Sequence, residues 1–243
     1  MAQAKNSQVQ LRRMLIAALF VALAYVSRFV FHFNVAFLTF ECKDAFLAVG
    51  GMFLGPLWAL GMSAATALLE FITISDTGWY GLVMNFAAAV SFSCAASLVY
   101  RFRRTLGGAI GGLSAGVAAL VGVMLPLNLL VTPAYMGVAV SEVVALLPKL
   151  LLPFNLLKGI LNMAVVLLLY KPLTRALRAA HLADGIAEIP AAAPTHAPDC
   201  EEKPREHQRR RYRFLTPLLG AVLLAATLLV FFLVLHGKVT VGK

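Results

Sequence analysis

The chain has 243 residues, 60% of them hydrophobic and only 13% charged, against roughly 25% charged in soluble domains, and its mean hydropathy is +0.84. A water-soluble globular protein is excluded, and at about 20 residues per spanning helix the length allows six or seven membrane spans. The net charge of +10, from 21 Lys and Arg against 11 Asp and Glu, marks cytoplasmic loops in such a protein rather than a nucleic-acid surface.

The first apolar run, residues 14–31, has no small-residue cleavage site behind it and reads as a first helix, not a cleaved leader. Residues 44–72 would form a single helix of about 43 Å, too long for a hydrocarbon core of about 30 Å. Gly55-Pro56 lies inside this run, and proline removes a helix hydrogen bond and disfavours helix at the residue before it. The run therefore divides into helices over 44–54 and 56–72. Helices over 79–100, 106–130 and 154–170 follow, with an amphipathic stretch, 138–151, expected at the outer interface. Residues 179–213 hold four prolines, most of the acidic residues and the run Arg209-Arg210-Arg211-Tyr212-Arg213, the composition of a disordered cytoplasmic linker. Residues 214–235 carry no charge and form an additional C-terminal transmembrane helix, with a short tail outside. The expected organisation is thus an all-α membrane protein: a six-helix domain over 1–178, a linker over 179–213 and a last helix with its tail over 214–243.

Charge supports the division at Gly55-Pro56. With the N-terminus inside, it places 15 of the 21 basic residues on the cytoplasmic side, as the positive-inside rule requires. Without it, Arg101, Arg103 and Arg104 would face outward.

The same topology brings polar residues to the outer boundary: Lys43 and Asp44, the turn Ser75-Asp76-Thr77-Gly78, Asn128, Asn155 and Lys158. Asn155 and Lys158 are three apart and share a helical face, with Pro153 as a helix-start signal. Two amides and a cation suit a neutral heterocycle with alternating C=O and N–H groups; helix caps and a snorkelling lysine are the plainer alternative. Glu70 is an intramembrane acid and so a functional candidate, unless it is wetted at the interface. The three cysteines and five histidines show no metal spacing, and no GxxxxGK[ST] phosphate loop is present. Ala18-xxx-Ala22, Gly51-xxx-Gly55 and the Gly107–Gly116 series are spacings that permit close helix approach in lipid.

With FLTFECKD (37–44), GGMFLGPLWA (50–59), the SDTG turn, NLLVTPAYMG (128–137) and LPFNLLKGILN (152–162) in view, the chain resembles the substrate-binding (S) components of energy-coupling factor (ECF) vitamin transporters, in their riboflavin-specific branch. The resemblance implies a six-helix bundle that captures a vitamin at the outer face of the cell membrane. It implies as partners a transmembrane coupling protein and two ATPase subunits, which would hydrolyse ATP in place of this chain. Riboflavin would be the transported ligand, with no cofactor and no metal. Its ring would be held by Asn128, Asn155 and Lys158 and covered by the loop 34–43, including Leu38 and Thr39. Ala18 and Ala22 would contact the coupling protein. Thr77 in the SDTG turn joins the substrate-binding set, with Tyr135 among aromatics (Phe40, Trp79, Tyr135, Phe154) suited to flank a flavin. The alternatives are an S component for another vitamin or heterocycle, an intramembrane enzyme built on Glu70, Asp76 and Lys158, and a scaffold that binds nothing.

Overall fold

The computed structural model describes residues 2–30, 32–35, 38–179, 220–222 and 224–225. Among them are seven α-helices and one two-stranded hairpin: α1 (Ala2–Val30), β1 (His32–Val35), β2 (Leu38–Glu41), α2 (Lys43–Leu54), α3 (Pro56–Thr73), α4 (Gly78–Phe102), α5 (Leu106–Met136), α6 (Val140–Leu146) and α7 (Leu152–Ala179). Five helical stretches are long and apolar enough to cross a membrane: Ser7–Val30, Pro56–Thr73, Gly78–Phe102, Leu106–Met136 and Val140–Leu177. The expected linker 179–213 and most of the last helix lie outside the described residues.

The short helix α2 is the centre of the bundle, with eleven of its twelve residues buried. It ends where Gly55 takes φ +103°, a conformation open to glycine, and Pro56 begins α3 at once. The other end of α2 has no cap of its own. Asn162 of α7 replaces it: its Oδ1 accepts from the Ala45 N–H at 2.9 Å, and its Nδ2 donates to the Glu41 and Lys158 carbonyls at 3.4 and 2.9 Å. A helix end buried in protein needs such a partner.

Helices α4 and α5 pack closely because α5 has no side chain where they meet. A Cβ on Gly112 would lie 2.7 Å from the Ala96 carbonyl oxygen, and one on Gly116 2.8 Å from that of Phe92. Around α2, Phe53 stacks obliquely on Phe20 of α1 and on Tyr170 of α7, with ring centroids 5.9 and 5.5 Å away. The Tyr100 and Tyr170 hydroxyls meet at 2.5 Å, tying the end of α4 to the body of α7.

Three expectations need correction. The segment expected as a loop over 34–43 contains an antiparallel hairpin, with His32 opposite Glu41 and Val35 opposite Leu38. Helix α5 runs past residue 130 to Met136, through Pro126 and Pro133, and stops at Gly137 in the left-handed region. Asn128 therefore sits two turns inside the helix. Finally, the stretch 138–151 is not a separate segment. It is α6 followed by a π-helical turn, Leu147–Leu151, which runs straight into α7, with Leu150 and Leu151 buried. Pro153 is thus not the start of a separate helix.

Candidate substrate-binding site

At the end of the bundle where α1 and α3 finish and α4 and α7 begin, a cavity of about 490 Å³ opens. Helix α5 contributes Asn128, Thr132 and Tyr135, which fall on one face at spacings of four and three residues. Phe154, Asn155 and Lys158 come from α7, Tyr80 and Asn85 from α4, and Asp76 and Thr77 from the turn before it. Leu38 and Thr39 of the hairpin form one wall, beside Arg28 and Phe29 of α1. All seven residues singled out in the sequence for the ligand (Asn128, Asn155, Lys158, Leu38, Thr39, Thr77 and Tyr135) line this one cavity.

The polar groups are held in place from behind. Asn128 donates through Nδ2 to the Met124 carbonyl at 2.7 Å and accepts from the Thr132 hydroxyl at 3.0 Å. Asn155 donates to the Leu151 carbonyl at 2.8 Å. Since an amide offers two N–H groups and two lone pairs, each side chain keeps an N–H and an acceptor position while its orientation is fixed.

Lys158 belongs to a buried ionic cluster. Its Nζ lies 3.3 Å from Glu41 Oε1 and 3.7 Å from Asp44 Oδ2. Lys43 Nζ is 3.0 Å from the same Glu41 oxygen and pairs with Glu70. Arg28 reaches Glu41 at 3.3 Å and Glu70 at 3.4 Å, and Asn85 donates to Glu70 at 3.3 Å. Three cations thus face three carboxylates. Burial opposes ionisation of Glu41, but Lys43, Lys158 and Arg28 outweigh it and hold its carboxyl at about 2. One carboxylate of the hairpin is in this way tied to α1, α2 and α7.

The cluster corrects several sequence readings. Glu41 and Lys43 are buried in the bundle. Glu70, only 2% exposed, is neither wetted nor a cavity residue; it is the counter-ion of Lys43 and Arg28. Of the four aromatics expected to flank a ligand, Tyr135 and Phe154 line the cavity. Trp79 is 70% exposed and stacks on Phe71, while Phe40 is buried edge-on behind Phe154 at 5.7 Å. Tyr80, 5.9 Å from Tyr135, completes the aromatic rim instead.

Arg28, Thr132, Asn85 and Asn162 were missed by the sequence reading. Arg28 is an ionisable residue inside an apolar helix, which is itself a functional signal. Thr132 follows from the Asn128 face once α5 is continued through Pro133. The ends of Ala18 and Ala22 tell a different story: both are exposed on α1, whereas Ala17, Phe20 and Ala24 on its other face are buried.

A family model for the substrate-specific component of ECF transporters matches residues 12–170, and the chain belongs to this family. Among solved structures, the S component of a bacterial ECF transporter, described with its mechanism, is 27% identical, with a TM-score of 0.59 over 70% of this chain and 99% of that one. No curated protein matches. The protein is therefore a multi-pass membrane protein and a substrate-binding transport subunit rather than an enzyme, of the kind that works with a module of coupling and ATPase subunits.

Proposed function

We propose that this subunit binds riboflavin at the outer face of a bacterial cell membrane and delivers it to an ECF module for import. Asn128 and Asn155 pair with the C=O and N–H edge of the isoalloxazine ring, and Lys158 donates to a ring carbonyl. Tyr135 and Phe154 flank the ring, Thr77 closes the far wall, and Leu38 and Thr39 cover the ligand. The observation that carries this reading is the convergence of two oriented amides, an ammonium and an aromatic rim on one cavity of about 490 Å³, within the range for small-molecule sites. Because Glu41 and Asp44 already face Lys158, the site has no unmatched cation asking for an anionic ligand. A neutral heterocycle fits it better.

Orientation rests on charge. Arg101, Arg103, Arg104, Lys171 and Arg175 lie where α4 and α7 end, opposite the cavity, so the positive-inside rule turns the cavity outward and the N-terminus inward. Ala18 and Ala22, on the exposed face of α1, form the contact with the transmembrane coupling protein, and ATP hydrolysis belongs to two ATPase partners.

The test is the absorption spectrum of the purified protein together with quenching of riboflavin fluorescence. Flavin bands or saturable quenching are expected. A colourless protein that fails to quench would remove riboflavin and leave another vitamin or heterocycle as ligand; turnover of a substrate without partner subunits would favour an enzyme instead.

A further inference from the structure

The family match ends at residue 170, and the matched solved S component is covered over 99% of its length by 70% of this chain. The helical residues around Gly220 and Leu224 are therefore an addition to the unit, yet they are seated on it. Gly220 is buried, and a Cβ there would lie 2.9 Å from Leu168 Cγ and 3.0 Å from the Ala164 carbonyl oxygen of α7. A side chain at this position would have to push α7 or Leu168 aside. One turn on, Leu224 packs against the apolar cluster of Phe40, Cys42, Leu150, Phe154, Leu157 and Leu161.

That cluster is shared with the hairpin. Phe40 of β2 is buried in it, Leu38 packs on the same group, and Phe154 also lines the cavity. We propose that the segment around Gly220 and Leu224 is an intramolecular clamp, which docks on the outer face of α7, closes the cluster anchoring the hairpin and so slows opening of the hairpin over the cavity. The occupant of this α7 face is thus the chain's own C-terminal addition, which also removes the face from the surfaces open to a coupling protein. The slowing of ligand exchange rests on the reading of the cavity as a binding site; the clamp itself does not.

Cys42 reports on the clamp directly, because its thiol is buried within the same cluster. With Cys94→Ala and Cys200→Ser as background, maleimide labelling of Cys42 in the full-length protein should run about fivefold faster or more in Gly220→Leu and in Leu224→Ala, since the first wedges a side chain against α7 and the second removes one from the cluster. Labelling of Cys94, measured with Cys42→Ala and Cys200→Ser, should stay at the parent rate. An unchanged Cys42 rate in either variant, or equal acceleration at Cys94, overturns the clamp. Riboflavin dissociation from the same variants should quicken in step with the Cys42 rate. Failure of the parent protein to bind riboflavin would remove the ligand and leave the thiol rates to decide the clamp alone.

Discussion

Lys158 serves two demands at once: it lines the cavity, and its charge is met by Glu41 and Asp44. Asn155, one turn earlier on the same face, is a polar contact without that second duty. A buried ligand group left unpaired costs about 1–3 kcal/mol, so Asn155→Ala should weaken riboflavin binding by roughly one to two decades in a fluorescence-quenching titration, with the melting temperature little changed. Lys158→Ala should weaken binding at least as much and also lower the melting temperature, because it strips a counter-ion from the cluster. Glu41→Gln isolates the cluster itself. Removing one partner of a buried ionic group costs about 3–5 kcal/mol, and the loss should appear in thermal unfolding at neutral pH. The folded carboxyl sits at about 2, below the ordinary carboxylate value, so its contribution is full above that ordinary value and fades as pH falls through the folded one. The gap between wild type and Glu41→Gln should persist to about pH 4 and close only toward pH 2. Asn155 and Lys158 were legible in the sequence because a spacing of three fixes a shared helical face. The burial and pairing of Glu41 and Lys43 were not, since nothing in a linear order of charges says whether water or another charge will surround them.

At the scale of elements, the sequence spoke clearest where backbone chemistry leaves no choice. Gly55-Pro56 must break a helix, and the structure breaks there. Pro133 breaks nothing: neighbouring helices can satisfy the backbone that a proline disturbs within a bundle, and α5 continues to Met136. The hairpin had a signal in His32-Phe33-Asn34-Val35, whose alternation of polar and apolar residues is that of a strand, but the flanking apolar helices obscured it. Glycine positions in α5 separate packing from mere composition. Gly116 and Gly112 press on carbonyl oxygens of α4, while a Cβ on Gly111 would meet nothing within 4 Å. Gly116→Leu should therefore open the α4–α5 seam and lower thermal stability by a few kcal/mol, about the scale of overpacking, whereas Gly111→Leu should leave the melting curve in place. Equal effects from the two would mean that helix propensity, not contact, sets the response.

For the whole molecule, the proposed function separates a binding end from a docking face. Cysteine introduced at Thr77, on the cavity side, should react with an impermeant reagent added outside intact cells, and one at Arg103 should not; reaction at Arg103 would invert the topology. Ala18 and Ala22 lie on the exposed face of α1, and the same helix carries Arg28 in its last turn, paired with Glu41 of the hairpin. Small residues in lipid permit close approach of a partner helix, and among the described residues no helix covers these two. Ala18→Leu and Ala22→Leu should accordingly leave riboflavin affinity within about twofold, a change worth less than about 0.5 kcal/mol. Co-purification of the coupling protein and uptake by cells should both fall by about tenfold or more, the scale expected when one close-packed contact of an interface is lost. Had this face packed inside the bundle, folding and binding would fail together with assembly. Because it is exposed, the two outcomes part, and retention of both co-purification and uptake would move the docking surface away from α1.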